Sequence, residues 1–195
     1  MKIIFAQGNP GAEYEKTRHN IGFLAIDYYA AQNAATFQYK DKFKAAIAEL
    51  IVSNEKVLLV KPTTFYNETG GSARAIIDFY KAETTDILAL HDELALPFGT
   101  VRTRGKGSDA GNNGIKSLNA HIGQDYSRVR IGIANDISAK AAATNFVLAR
   151  FSVEELNRLN DHLLPKISEI IDSFINESLD FTSHVIDSES SSAKA

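Results

Sequence analysis

Apolar positions along this chain switch repeatedly between two spacings, and the switches mark its elements. A β-prone run, Ile3-Ile4-Phe5-Ala6, stops at Gly8-Asn9-Pro10-Gly11. There proline holds φ near about −65° and glycine permits positive φ. Residues 2–7 therefore read as a strand ending in a polar loop. From 20 to 32 the spacing becomes helical, with Ile21, Leu24, Ala25 and Tyr28 on one face. Residues 43–53 and 56–61 read as a strand pair joined at Asn54-Glu55. Past Pro62, a helix capped by Asn67 or Thr69 runs to Tyr80, its apolar side carried by Ala73, Ile76, Ile77 and Tyr80. Residues 86–91 form a buried-type strand that His91-Asp92-Glu93 closes. A short strand at 101–104, a glycine-rich loop at 105–111, a helix at 113–122 and a strand at 129–133 follow. Helical spacing then covers 139–148 and 153–175, the last with one apolar stripe from Val153 through Leu163 to Phe174.

Strands alternating with helices predict an α/β sandwich around a mixed, mostly parallel sheet. A length of 195 residues fits one domain, here expected over 1–184. The serine-rich segment 185–195 has little to bury and is expected to be a disordered tail. No apolar run approaches the ~20 residues that span a bilayer, and the start of the chain reads as a strand rather than a leader. A soluble protein without a membrane partner is the expectation. Cysteine is absent, which removes disulfides, thiolate zinc sites and a cysteine nucleophile, and is compatible with a reducing, cytoplasmic setting.

The net charge of −3 argues against coating nucleic acid by bulk positive charge. Its distribution changes that picture. Residues 100–130 carry six basic side chains against two acidic, a net +4, whereas 151–195 carry nine acids against three bases, a net −6. One face can bind a polyanion while the molecule stays acidic.

Candidate chemistry collects where predicted strands end or helices begin: Asn9, His19, Asn67, Asp92 and Asn113. In open α/β sheets such carboxyl-end crevices bind ligands. Each also has a bland role, as a turn residue, a helix cap, a packed histidine or solvated surface. The remaining histidines lack metal-ligand spacing, so no metal is expected. There is no Gly-x-Ser-x-Gly elbow, Walker loop or Gly-x-Gly-x-x-Gly fingerprint. Histidine-activated water is the chemistry left. A neutral imidazole accepts a proton near pH 7, and a carboxylate on its other nitrogen fixes the tautomer. Asp92 is the candidate carboxylate for His19.

Six ordered blocks resemble the successive signatures of bacterial-type peptidyl-tRNA hydrolases. They are Gly8-Asn9-Pro10-Gly11 with Tyr14, Arg18-His19-Asn20-Ile21-Gly22, Lys61 through Asn67, His91-Asp92-Glu93-Leu94, Gly111-Asn112-Asn113-Gly114 and Arg128 through Ile133. The resemblance implies a monomeric, phosphorylase/hydrolase-like fold. It implies cleavage of the ester joining a peptide to the 3′ ribose of tRNA, rescuing dropped-off peptidyl-tRNA without a cofactor. On it, His19 matches the catalytic base and Asp92 its orienting carboxylate. Asn9, Asn67 and Asn113 match the amides lining the cleft, with Tyr66 and Asn112 beside them. Such amides grip a peptide backbone without reading side chains. Tyr14 matches an aromatic position near the terminal nucleotide of the acceptor stem, and is equally a packing tyrosine. Arg104 and Arg130 match the clamp on the tRNA 5′ phosphate, and Arg102 shares the face of Arg104. Without the family, these arginines read as a solvated sheet edge.

The chain departs from the family pattern at four places. Asn112 replaces the usual His, Ala110 the usual Gly, Tyr66 the common Met, and Ala134-Asn135-Asp136 a Gly-His-Pro sequence. Weaker or differently tuned tRNA affinity is the expectation. Two other readings stand beside the esterase: a noncatalytic RNA-binding relative, of the kind seen among plant organelle splicing factors, and a hydrolase of blocked amino-acid esters that needs no RNA.

Overall fold

Parallel pairing of four central strands puts their carboxyl ends along one rim. The computed structural model describes residues 1–138 and 141–186. Its strands are β1 (Lys2–Ala6), β2 (Gln38–Lys40), β3 (Ala45–Val52), β4 (Glu55–Pro62), β5 (Ile87–Pro97), β6 (Thr100–Arg104), β7 (Ser127–Ala134) and β8 (Ser183–Val185). They form one sheet in the order β2-β3-β4-β1-β5-β7-β6-β8. β4, β1, β5 and β7 are mutually parallel neighbours, and the pairings outside them are antiparallel. The sheet is mixed as expected, but parallel pairing belongs to its centre rather than to most of it.

Helices cover both faces: α1 (Ile21–Gln32), α2 (Gly70–Tyr80), α3 (Asn113–Ile122), α4 (Ala143–Leu148), α5 (Val153–Arg158) and α6 (Leu164–Ile175). Alternate residues of β1 explain why its run is apolar throughout. Ile4 and Ala6 join the core shared with α1 and α6, while Ile3 and Phe5 join the core shared with α2 and α3. A central strand buried on both sides has no polar face to show.

Several boundaries differ from the sequence reading for physical reasons. The β3–β4 turn falls at Ser53-Asn54, both with positive φ, the pair of left-handed residues that a tight hairpin requires. The buried face of α1 is rotated toward Ile26, Tyr29 and Ala30, with Leu24 and Tyr28 only half-buried. α1 packs on α6 as well as on the sheet, and the Tyr29 hydroxyl donates to Asp172 at 2.6 Å. β5 does not close at His91-Asp92-Glu93 but runs to Pro97, with a register shift against β7 between Glu93 and Pro97. The last helix is interrupted by a π-helical turn, Leu159–Leu163. Pro165 lacks the N–H that would continue the regular ladder, which accounts for the local widening. Val153 is exposed, so the stripe begins at Leu156.

The short edge strands β2 and β8 carry no sustained alternation and were not expected. β8 pairs with β6 up to Val185, and the Ile186 N–H donates to the Gly99 carbonyl at 2.9 Å. Sheet pairing thus passes the expected boundary at 184. The rest of the expected tail, 187–195, lies outside the described residues, as do Ala139 and Lys140 of the expected 139–148 helix.

Candidate active site

The loop after β1 and the start of α1 are tied together by reciprocal amide bonds. Asn20 Oδ1 accepts the Asn9 N–H at 2.8 Å, and Asn20 Nδ2 donates to the Asn9 carbonyl at 2.9 Å. Asn9 in turn uses its Oδ1 to accept the Tyr66 N–H at 2.9 Å, joining this loop to the segment that follows β4. Behind His19, the chain is held by a short antiparallel bridge from Thr17 to Arg150. Arg18, buried, donates to Glu155 at 2.8 Å and lies over the rings of Phe146 and Phe151. Burial works to raise the Glu155 carboxyl pKa, but the Ser152 N–H and the Arg18 guanidinium hold it below the ordinary carboxylate range.

These supports deliver His19 to the rim beside Asp92. His19 Nδ1 is 3.0 Å from Asp92 Oδ2, across 73 positions of sequence. A carboxylate only accepts, so Nδ1 is the donor of this bond, and in the neutral ring Nε2 is then the nitrogen with the free lone pair. Asp92 is buried at 3% exposure, and its second oxygen accepts the Tyr66 hydroxyl at 2.5 Å. The Tyr66 ring stacks on His19 with centroids 3.5 Å apart and planes 15° apart. Asn112 Nδ2 donates to the Tyr66 hydroxyl at 3.0 Å and to the Asp92 carbonyl at 3.2 Å. Its Oδ1 accepts the Ile115 N–H at 3.0 Å. Asn112, not Asn113, therefore caps α3. Gly114 makes the close fit possible: a Cβ there would drive into the Tyr66 ring and lie 2.7 Å from Gln7 Oε1.

A cavity of about 460 Å³ opens over this pair. Asn9, Tyr14, His19, Tyr66, Asn67, Asp92, Asn112 and Asn113 all line it, with α4 contributing Val147 and Leu148 to one wall. Asn67 sits in the 3-10 turn Tyr66–Glu68 rather than capping α2, and Thr69, the residue before α2, uses its hydroxyl on Gln7 and Tyr66. A second pocket of about 180 Å³ adjoins the first through Glu93 and Ala110, and Arg104, Lys106, Arg128 and Arg130 line it. Arg130 is paired with Glu93 at 2.9 Å through both Nε and Nη2. Burial lowers the Arg128 pKa, and its guanidinium donates to the Ser108 carbonyl at 2.9 Å, pinning the glycine-rich loop. Arg102 lines neither pocket and turns toward Ser183 on β8.

Arg18, Asn20, Glu93 and Glu155 were assigned no role from sequence. Only the Ser152-x-x-Glu155 capping box, observed at the start of α5, leaves a local signature. Among the described residues, no group of three or more His, Asp or Glu gathers at ligating distance. No helix among them is long and apolar enough to cross a membrane.

A histidine held by a buried carboxylate, facing an amide-lined cleft at the carboxyl rim of a parallel sheet centre, defines a hydrolase-type site on an α/β scaffold. The sequence pattern of the peptidyl-tRNA hydrolase family matches residues 3–194, and the chain belongs to that family. It is 42% identical over 176 residues to a peptidyl-tRNA hydrolase of Leuconostoc mesenteroides, covering 90% of this chain and 93% of that one. To the corresponding protein of Bacillus cytotoxicus it is 41% identical over 179 residues, covering 91% and 95%. A crystal structure of peptidyl-tRNA hydrolase from Acinetobacter baumannii superposes with a TM-score of 0.79 at 29% identity, covering 93% of this chain and 96% of that one.

Proposed function

We propose that this cleft hydrolyses the ester between a peptide and the 3′ ribose of tRNA, with His19 as general base. The observation that carries the mechanism is the 3.0 Å contact of His19 Nδ1 with Asp92, which leaves Nε2 as the basic nitrogen at the cavity. A water gives its proton to Nε2 while its oxygen attacks the ester carbonyl carbon. The tetrahedral intermediate collapses, the bond to the ribose 3′ oxygen breaks, and that oxygen takes the proton back from the imidazolium. Asp92 stabilises the imidazolium between the two transfers.

Asn9, Asn67 and Asn113 hold the peptide backbone. A well-placed amide donor on the developing oxyanion contributes on the order of 3 kcal/mol. Tyr14 stacks against the terminal nucleotide, where about 1–3 kcal/mol is available per base. Arg104 and Arg130 clamp the 5′ phosphate of the acceptor stem, and Arg102, opposite Arg130 on the ladder but turned toward Ser183 on β8, takes no part in it. The protein acts as a monomer, in the cytoplasm where its substrate arises.

The test is hydrolysis of N-acetyl-aminoacyl-tRNA. His19→Ala abolishes turnover, whereas Arg104→Ala chiefly raises KM and flattens the salt dependence by about one phosphate contact. Undiminished turnover by His19→Ala removes the proposed base. Equal turnover on substrate lacking the 5′ phosphate removes the clamp.

A further inference from the structure

We infer that Tyr66 is a positioning residue for the base, fixing the Asp92 carboxylate through its hydroxyl and the His19 ring through its face, with Asn112 setting the hydroxyl in place. The inference rests on His19 and Asp92 acting as proposed above.

Three contacts converge on the one phenol. Its O–H donates to Asp92 Oδ1 at 2.5 Å, while Asp92 Oδ2 serves His19. Both carboxylate oxygens are thus committed, and the carboxylate cannot rotate without breaking a bond. The ring lies flat on the imidazole at 3.5 Å, which restricts the tilt of His19 about the Nδ1 bond. Asn112 Nδ2 reaches the phenol oxygen at 3.0 Å while its own Oδ1 is locked into the cap of α3. The chain of contacts therefore runs from a helix terminus, through an amide and a phenol, to the carboxylate and the base. Burial first, and the charge of Asp92 second, push the Tyr66 pKa up, so the phenol keeps the proton it donates.

This arrangement has an electrical consequence. A hydrogen bond donated to a carboxylate disperses its charge, and Asp92 then stabilises the His19 imidazolium less than an unshared carboxylate would. Tyr66 holds the base in place and moderates its proton affinity. The two departures from the family pattern at 66 and 112 meet here in a single hydrogen bond, so they act as one unit.

The experiment is a nuclear magnetic resonance titration of the His19 ring, alongside pH profiles of kcat and kcat/KM. Tyr66→Phe keeps the ring and the stack but removes the donor. The expected result is a His19 midpoint moved upward by about half a unit to one unit, with kcat lowered several-fold and KM little changed. In an Asp92→Asn background, adding Tyr66→Phe leaves the midpoint where it was, because the charge being dispersed is gone. Asn112→Ser retains a capping oxygen but is too short to reach the phenol, and moves the midpoint in the same direction by less. It also serves as the second probe if Tyr66→Phe folds poorly. A lowered kcat with an unmoved midpoint in both variants overturns the inference and leaves Tyr66 a packing residue. Retained activity in His19→Ala overturns the base itself, a separate result.

Discussion

His91, one residue before Asp92, shows how differently two neighbouring titratable groups are placed. Its Nδ1 lies 2.8 Å from the Asp92 carbonyl, which only accepts, so that nitrogen holds the proton. Nε2 is buried and has no hydrogen-bond partner among the described residues. Burial lowers the His91 pKa to about 4, against the opposing pull of Asp92 and Glu93. A base depressed in the folded state is protonated first in the unfolded chain. Between pH ~6.5 and about 4 the unfolded state therefore binds more protons, and stability falls as pH falls through that window. Over the 1.5 units from pH 6.5 to 5, the linkage is worth roughly 2 kcal/mol at most. His91→Gln keeps a donor for the Asp92 carbonyl but cannot titrate. Its urea midpoint is expected to change less between pH 7 and 5 than that of the wild type. Identical pH dependence of the two proteins would show that His91 ionises freely and that its burial is relieved by water.

At the scale of elements, the cleft rests on a strut that runs from α5 to Arg18, the residue before His19. Glu155 accepts the Ser152 N–H of its own capping box, the Arg18 guanidinium and the Asn135 amide. Glu155→Ala removes the side-chain half of the α5 capping box, leaving the Ser152 Oγ cap, and leaves Arg18 charged and buried without its partner. The expected cost is about 3 kcal/mol in chemical unfolding, with kcat lowered more than KM is raised, since His19 loses its backing but the cleft amides stay. A stability loss under about 1 kcal/mol would mean that Arg18 is satisfied by its two aromatic neighbours. Most elements were legible because burial imposes period on sequence. The 113–122 helix matches α3 in full, and β1, β7 and α2 agree within a few residues. β5 was cut short because apolar patterning ends at His91, whereas its backbone pairing continues through the polar pair Asp92-Glu93 that lines the cavity. The candidate residues were legible by chemical type and by family pattern. Their partners were not: His19 meets Asp92 across 73 positions and Arg18 meets Glu155 across 137. Only the sheet order determines which loops share a rim.

The whole molecule is acidic, yet it concentrates positive charge on one face of β6 and β7, where Arg102 stands opposite Arg130 and Arg104 opposite Arg128. Like charges directly across a ladder are unfavourable, so the block costs stability unless counter-charge is near. Glu93 supplies that charge, and it also lines the cavity over His19 and Asp92. Its carboxylate engages Arg130 through Nε and Nη2, and in the proposed clamp the outer edge of the guanidinium takes the phosphate. On the proposed clamp, two opposite effects follow for tRNA. Glu93 orients the guanidinium, which saves about 0.5–1.5 kcal/mol of side-chain ordering on binding. It also repels the phosphate, by roughly 2–3 kcal/mol if the anion sits about 6 Å away at an effective dielectric near 20. Solvent in the open pocket reduces the repulsion without reversing the order of the two. Glu93→Gln is therefore expected to lower KM for N-acetyl-aminoacyl-tRNA by about 3- to 10-fold, with kcat nearly unchanged and the advantage shrinking as salt rises. A raised KM would mean that orientation outweighs repulsion, making Glu93 a mount for the phosphate clamp rather than a brake on it.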